Sequence, residues 1–472
     1  MTTSETKMKK TLTNWNFFTI GFGAIIGTGW VLQVGDWMDK GGGPVAAIIA
    51  FIIGAIFLLP VGAVFGELTS AIPISGGIVE YVDRTFGKRL SFVTGWFLSL
   101  GNGILCPWEA IAISKLVGML IPQLKIIPLY TIMGYTVYLP PLLISLAFAC
   151  YVIRLNFKGA SSAAKLQGFL TKMLLGGMLI AMGVSLFTGG PHHLQPIVSE
   201  SNGNNLILGI IPVLVMTPFF YAGFDTIPQQ AEEAAEGLDW KKFGQVISLA
   251  LLAAGIFYAC CIYAFGTIVP WNDFVALGTD GSVPALAVLR TINGVFFVVM
   301  MCIAILGPLG PMNSFFGATS RILLAMGRKK QLPAAFEKID DNGNPKTANM
   351  LMAALTLIGP FLGGNMLIPL TNVSALAFIF ACFMCSAACL KMRFSEPELK
   401  RPYSVPGGKF GITLACLACL CIIALMVLPF SPAALLPVEW SIVIGWLVLG
   451  LIFNLVSSSR STKTVIQVEE AE

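Results

Sequence analysis

Between Thr347 and Leu390 the chain carries no charged residue. A membrane helix needs about 20 apolar residues, so this stretch is too long for one span. Gly363-Gly364-Asn365 supplies the tight turn that divides it in two. The remaining sequence follows the same plan. It is 56% hydrophobic and 11% charged, against about 25% charged in a soluble domain. A polytopic, all-α membrane protein is expected. The net charge of +5 therefore says little about nucleic acid and has to be read by position.

Twelve spans are expected, near residues 15–35, 44–66, 91–121, 136–154, 166–188, 205–230, 243–269, 284–326, 347–363, 366–390, 410–430 and 437–457. The eighth is too long to lie wholly in lipid, and its end is expected to project into the cytoplasm. With a cytoplasmic N-terminus, the inner segments hold 24 of the 29 Lys and Arg residues. The outer loops hold only Lys40 and Lys125, while Lys115, Lys172 and Arg290 fall within spans. This distribution obeys the positive-inside rule for an even number of spans with both termini inside. The basic first dozen residues lack a small-residue cleavage site, so no signal peptide is expected. Residues 458–472 read as a polar cytoplasmic tail.

Eleven cysteines lie mostly within spans, and Cys382, Cys385 and Cys389 share one helix. They read as small buried hydrophobes, not as metal ligands or a disulfide framework. His192-His193 in an outer loop are weak metal evidence. No metal and no cofactor are implied. An enzyme is not expected, because no nucleophile–base pair or metal-spaced His/Glu helix is present.

The first span contains Gly21, Gly23, Gly27-Thr28-Gly29 and then Trp30. Each glycine costs about 1 kcal/mol of helix propensity relative to alanine. Broken backbone at membrane depth persists only where protein or a water-filled cavity surrounds it, and it points to a transporter's binding site. Five spans later the sixth carries Pro212, Pro218, Gly223 and Pro228, with Asp225 in its second part. Proline removes a backbone donor and frees a carbonyl. A carboxylate there needs water, a partner or a helix N-terminus. The alternative is an ordinary proline kink.

These residues resemble the amino acid–polyamine–organocation superfamily of transporters, in its amino acid permease branch. The resemblance rests on Gly23-Ala24-Ile25-Ile26-Gly27-Thr28-Gly29 and on Phe65-Gly66-Glu67-Leu68-Thr69-Ser70-Ala71-Ile72-Pro73-Ile74-Ser75-Gly76-Gly77. It continues in Leu155-Asn156-Phe157-Lys158-Gly159, Phe219-Phe220-Tyr221-Ala222-Gly223-Phe224-Asp225 and Ala231-Glu232-Glu233. Ser320-Arg321, Ala325-Met326 and Leu332-Pro333 complete it. It implies the LeuT-type fold, a five-plus-five inverted repeat over 15–188 and 205–390, with helices 1 and 6 broken. Two C-terminal helices over 410–457 follow the repeats, and 1–14 precedes them.

A transported amino acid presents a carboxylate and an ammonium. Backbone donors at Gly27, Thr28 and Gly29 suit the carboxylate, and glycine permits close approach. The resemblance assigns the carboxylate to this motif and the ammonium to the stretch from Phe219 to Gly223. Ile25 and Ala222 are expected in the side-chain wall, and Phe219 at the place of an aromatic gate. Trp30 narrows the pocket or anchors the helix. Lys172 occupies the space of a sodium ion, by resemblance, or snorkels to the interface; the first reading makes sodium dependence unexpected. Glu109, in the third span, binds a cationic group or pairs with Lys115 or another helix as a structural link. Glu67 is expected to serve gating or structure.

The expected function is thus secondary active transport of amino acids by alternating access, with proton symport or exchange left open. Polyamines or other amines recognised through Glu109 are the alternative substrates, and a sensor or channel is a further alternative. The expected location is the plasma membrane. No disulfide-linked heavy subunit is expected, because the outer loop at 122–136 has no cysteine.

Overall fold

The computed structural model describes residues 13–74, 76–158, 160–199, 203, 205–229, 231, 234–278, 282–340 and 343–469. The side chains of 20, 160–167 and 458–469 are outside that description. The N-terminal lysines, Ser75, Gly159, Glu232 and Glu233 therefore lie outside the described residues, as do the side chains of the tail charges.

Helix α1 (Asn14–Ile25) starts at a capping box, in which Thr13 and Asn16 exchange side-chain and backbone hydrogen bonds. It stops where Ile26 turns extended, and the chain resumes helical form in α2 (Gly29–Leu32) and α3 (Val34–Gly41). Next come α4 (Pro44–Ala71), α5 (Gly77–Phe86) and α6 (Lys88–Leu120). A hairpin of β1 (Pro128–Ile132) and β2 (Tyr135–Tyr138) follows, then α7 (Leu139–Lys158) and α8 (Ala160–Thr188). The next stretch is α9 (Leu206–Leu214), α10 (Thr217–Tyr221) and α11 (Thr226–Gln229), followed by α12 (Trp240–Ile268). Short helices α13 (Trp271–Ala276) and α14 (Pro284–Ile292) precede α15 (Gly294–Leu306), α16 (Leu309–Arg328) and α17 (Lys346–Ile358). Helices α18 (Leu367–Ser395), α19 (Lys409–Val427) and α20 (Pro437–Glu469) complete the chain.

Among the described residues, ten helices are long and apolar enough to cross a membrane. The protein is thus a polytopic helical membrane protein. Two of the twelve expected segments stand apart from these ten. The one at 205–230 is divided among α9, α10 and α11, and the one at 347–363 forms the shorter α17. The expectation for 284–326 needs correction. Asn293 adopts extended backbone and its side chain caps α15. This detaches α14, and Arg290 with it, from the crossing helix. The hairpin was not foreseen. Tyr130 donates to the Phe361 carbonyl at 2.6 Å, and Asn365 donates to the Met133 carbonyl at 2.7 Å. It thereby lies over the expected glycine turn, where Gly363 has φ +76°.

Helix α4 packs along α12, and α6 packs against α16 and α18. Small residues set the first of these crossings, as is usual for membrane helices. A β-carbon on Gly66 would sit 2.5 Å from the Gly244 α-carbon and 3.2 Å from the Tyr403 ring. Glu67, beside this crossing, accepts from Arg393 at 2.6 Å and from the Val405 amide at 2.8 Å. Arg401 lies 3.2 Å from its other oxygen. Overpacking a tight site costs about 1–3 kcal/mol. Gly66→Ala is expected to lose this much, read as a lower midpoint of thermal unfolding in detergent. Gly183→Ala, whose added carbon meets nothing within 4 Å, is the control and is expected not to lower the midpoint.

Candidate functional site

The two interruptions meet. Gly223 has φ +131°, in a region that L side chains rarely adopt. A β-carbon there would come within 2.6 Å of the Ile25 amide nitrogen and 2.8 Å of the Ala24 carbonyl carbon. Glycine is needed at 223 on both counts. The Tyr258 hydroxyl of α12 lies 3.0 Å from the Ile25 carbonyl and 3.1 Å from the Phe220 carbonyl, so its one proton is shared between them. Both carbonyls were freed by the interruptions.

Asp225 holds the second interruption from within. Its carboxylate accepts from Asn102 of α6 at 2.6 Å and from the Gly223 amide at 3.0 Å. Thr226 donates to the Gly223 carbonyl at 2.6 Å. The expected partner for this buried acid is therefore a side chain of α6 together with local backbone.

A small enclosed cavity lies beside the junction. Ile25, Gly27 and Gly29 line it from the first interruption, and Phe219 and Phe220 from α10. Trp108 and Glu109 of α6 and Tyr258 of α12 form further walls. Phe219 stands 5.3 Å from Trp108 and 5.0 Å from Phe220 between ring centroids. Trp108 donates to the Leu367 carbonyl and to Thr371, each at 3.1 Å, and so joins α6 to α18. Phe219 and Glu109 are 4% and 2% exposed, so water has little direct access to these walls.

Among the described residues, the amides of Thr28 and Gly29 have no intramolecular acceptor. The Thr28 hydroxyl donates to Glu109 Oε2 at 3.1 Å. A β-carbon on Gly27 would lie 2.6 Å from Glu109 Oε1. Glu109 thus presses its carboxylate on the first interruption. Lys115, six residues on, has Asp36 of α3 as its electrostatic partner.

The other expected residues lie elsewhere. Ala222 and Gly223 are packed behind Phe220, and neither is among the lining residues. Trp30 is fully buried against Phe257 and Phe265 of α12, pointing away from the cavity, with centroid distances of 5.6 Å and 6.2 Å. Lys172 is exposed on α8, while its neighbours Leu170, Thr171 and Leu174 form the buried face. Between α8, α16 and the first interruption, the Thr28 methyl and Leu174 crowd Gly307. Tyr258, Trp108 and Phe220 were not named as wall residues; Trp108 had a signal in its place beside Glu109 and Phe220 in the stretch from Phe219 to Gly223.

The class defined by these features is a polytopic helical membrane protein with two interrupted helices beside a small buried cavity. Within that class, the sequence profile of the family described as amino acid permease matches residues 12–453. The chain belongs to this family, within the amino acid–polyamine–organocation superfamily. It is 24% identical to the branched-chain amino acid permease BcaP of Bacillus subtilis, covering 98% of this chain and 96% of that one. It is 25% identical to the aspartate-proton symporter of the same organism, over 84% of this chain and 76% of the other. A methylthioribose transporter from Bacillus subtilis is 24% identical over 84% of each chain.

Tyr258→Phe keeps the ring and removes the hydroxyl shared by the two carbonyls. A net loss of about 1 kcal/mol in stability is expected, measured by thermal unfolding. Its effect on uptake should exceed that modest loss, because the two interruptions are no longer held to each other.

Proposed function

We propose that the protein is a secondary transporter of amino acids, working by alternating access around the cavity between the two interruptions. The observation that carries this reading is that Gly27 and Gly29 line an enclosed space with unengaged amides beside them. In this reading the substrate carboxylate meets the Gly27-Thr28-Gly29 stretch. The ammonium faces the carbonyl side near Phe219 to Gly223, and Ile25 and Phe219 border the side chain. The family and the named functions of the relatives support an amino acid as the class of substrate. Residues 15–188 and 205–390 are the two repeats that move against each other, in a plasma-membrane protein with both termini in the cytoplasm.

Amines recognised by Glu109 are the second reading, favoured by the carboxylate's place in the cavity wall. Sodium is not the proposed driving ion.

The test is counterflow in proteoliposomes against the proteinogenic amino acids, with leucine as first probe and polyamines in parallel. Amino acid counterflow is expected, and its absence for every amino acid would overturn the reading. Gly27→Leu should abolish counterflow while the protein still reaches the membrane, since even a β-carbon collides with Glu109. Replacing sodium by potassium should leave uptake unchanged; a steep sodium requirement would reject the sodium-independent mechanism.

A further inference from the structure

We propose that Glu109 takes up a proton when the substrate carboxylate binds, so that amino acid and proton cross the membrane together. This rests on the carboxylate reading above. The Glu109 carboxylate and the proposed carboxylate site share one patch. Thr28 donates to Oε2 at 3.1 Å, and Oε1 lies 2.6 Å from where a β-carbon of Gly27 would be. A substrate carboxylate on the Thr28 and Gly29 amides would thus lie beside a second carboxylate. Two such groups side by side in a dry site do not both stay ionised.

Nothing else at the site neutralises the pair. Among the described residues, no Lys or Arg is within ion-pair distance of Glu109. The titratable groups facing it are Tyr258 from α12 and Cys106 from its own helix. The first interruption contributes Thr28, α10 contributes Phe219 and Phe220, and α16 contributes Pro311. All of these are neutral. Lys115 has Asp36 as its electrostatic partner and is not within ion-pair distance of Glu109.

The remaining way to balance the charge is a proton on Glu109. It comes from the solution to which the site is open, adds to a carboxylate oxygen, and leaves from the same group on the other side once the substrate has gone. No other bond is made or broken. The loaded site crosses neutral for a zwitterionic substrate, and the empty site returns with a negative charge, so each cycle moves one positive charge. An amine lacking a carboxylate makes no such demand.

Equilibrium binding of leucine to the purified protein tests this, with 3-methylbutylamine, its decarboxylated counterpart, as control. If another amino acid gives stronger counterflow, it and its own amine replace the pair. Wild-type affinity for the amino acid should weaken as pH rises, approaching about tenfold per pH unit once the free carboxylate is ionised. The amine should not show this loss. In Glu109→Gln the amino acid profile should become flat. A flat wild-type profile, or a slope that survives in the glutamine variant, overturns the proposal while counterflow keeps the transport reading intact. Loss of all binding in a folded glutamine variant assigns Glu109 to direct substrate contact and also overturns it. If that variant does not fold, calorimetry on the wild type in buffers of different ionisation enthalpy decides. About one proton taken up per amino acid is expected at high pH, and a count of zero rejects the coupling. Failure of every amino acid to bind wild type rejects both readings.

Discussion

The close approach of Gly223 to the backbone of Ala24 and Ile25 is the constraint on which the site depends. Two helices without side chains between them can come this near only at glycine, and only with one backbone in a conformation other residues avoid. The approach leaves carbonyls with no helical partner in an apolar interior, where an unpaired polar group is costly. Tyr258 answers that cost at Ile25 and Phe220. Thr226 answers it at the Gly223 carbonyl, and Asp225, held by Asn102, accepts from the Gly223 amide. The cavity is what remains beside these bonds, walled by Trp108, Phe219 and Glu109. It is small because the backbones, not the side chains, set its floor.

The fold was legible where composition and charge were decisive. Charge-free runs marked the crossing helices, and the helix interruptions fall at the glycines of the first span and near Gly223 of the sixth. Segment 284–326 misled because Asn293, an N-cap in extended backbone, looks like any polar residue inside an apolar run. The hairpin was hidden because its strands are short and mostly exposed, with no buried alternation to announce them.

Site residues were legible in proportion to how unusual they were for their place. Glycines and a glutamate within apolar helices carry an evident cost, so Gly27, Gly29 and Glu109 stood out. Tyr258 did not, because a tyrosine in an aromatic-rich helix has no sequence mark of what its hydroxyl meets. Directions were harder than positions. The interruption at Ile26 to Thr28 resets the helical phase, so the face taken by Trp30 could not be carried over from α1. Lys172 shows the same limit at finer scale. One residue is about 100° around a helix, and that separates the buried Thr171 from the exposed lysine.

Tyr403 sits where Gly66 of α4 and Gly244 of α12 cross, and its segment is pinned through Arg401 and Val405 to Glu67. The connection between α18 and α19 is therefore threaded into the joint it passes. In mechanical terms it is a wedge seated in a joint: Tyr403 fills the space beside the closest approach of α4 and α12. The segment that joins α18 to α19 is thus part of the packing of two helices it does not belong to, and a change in it is felt at their crossing.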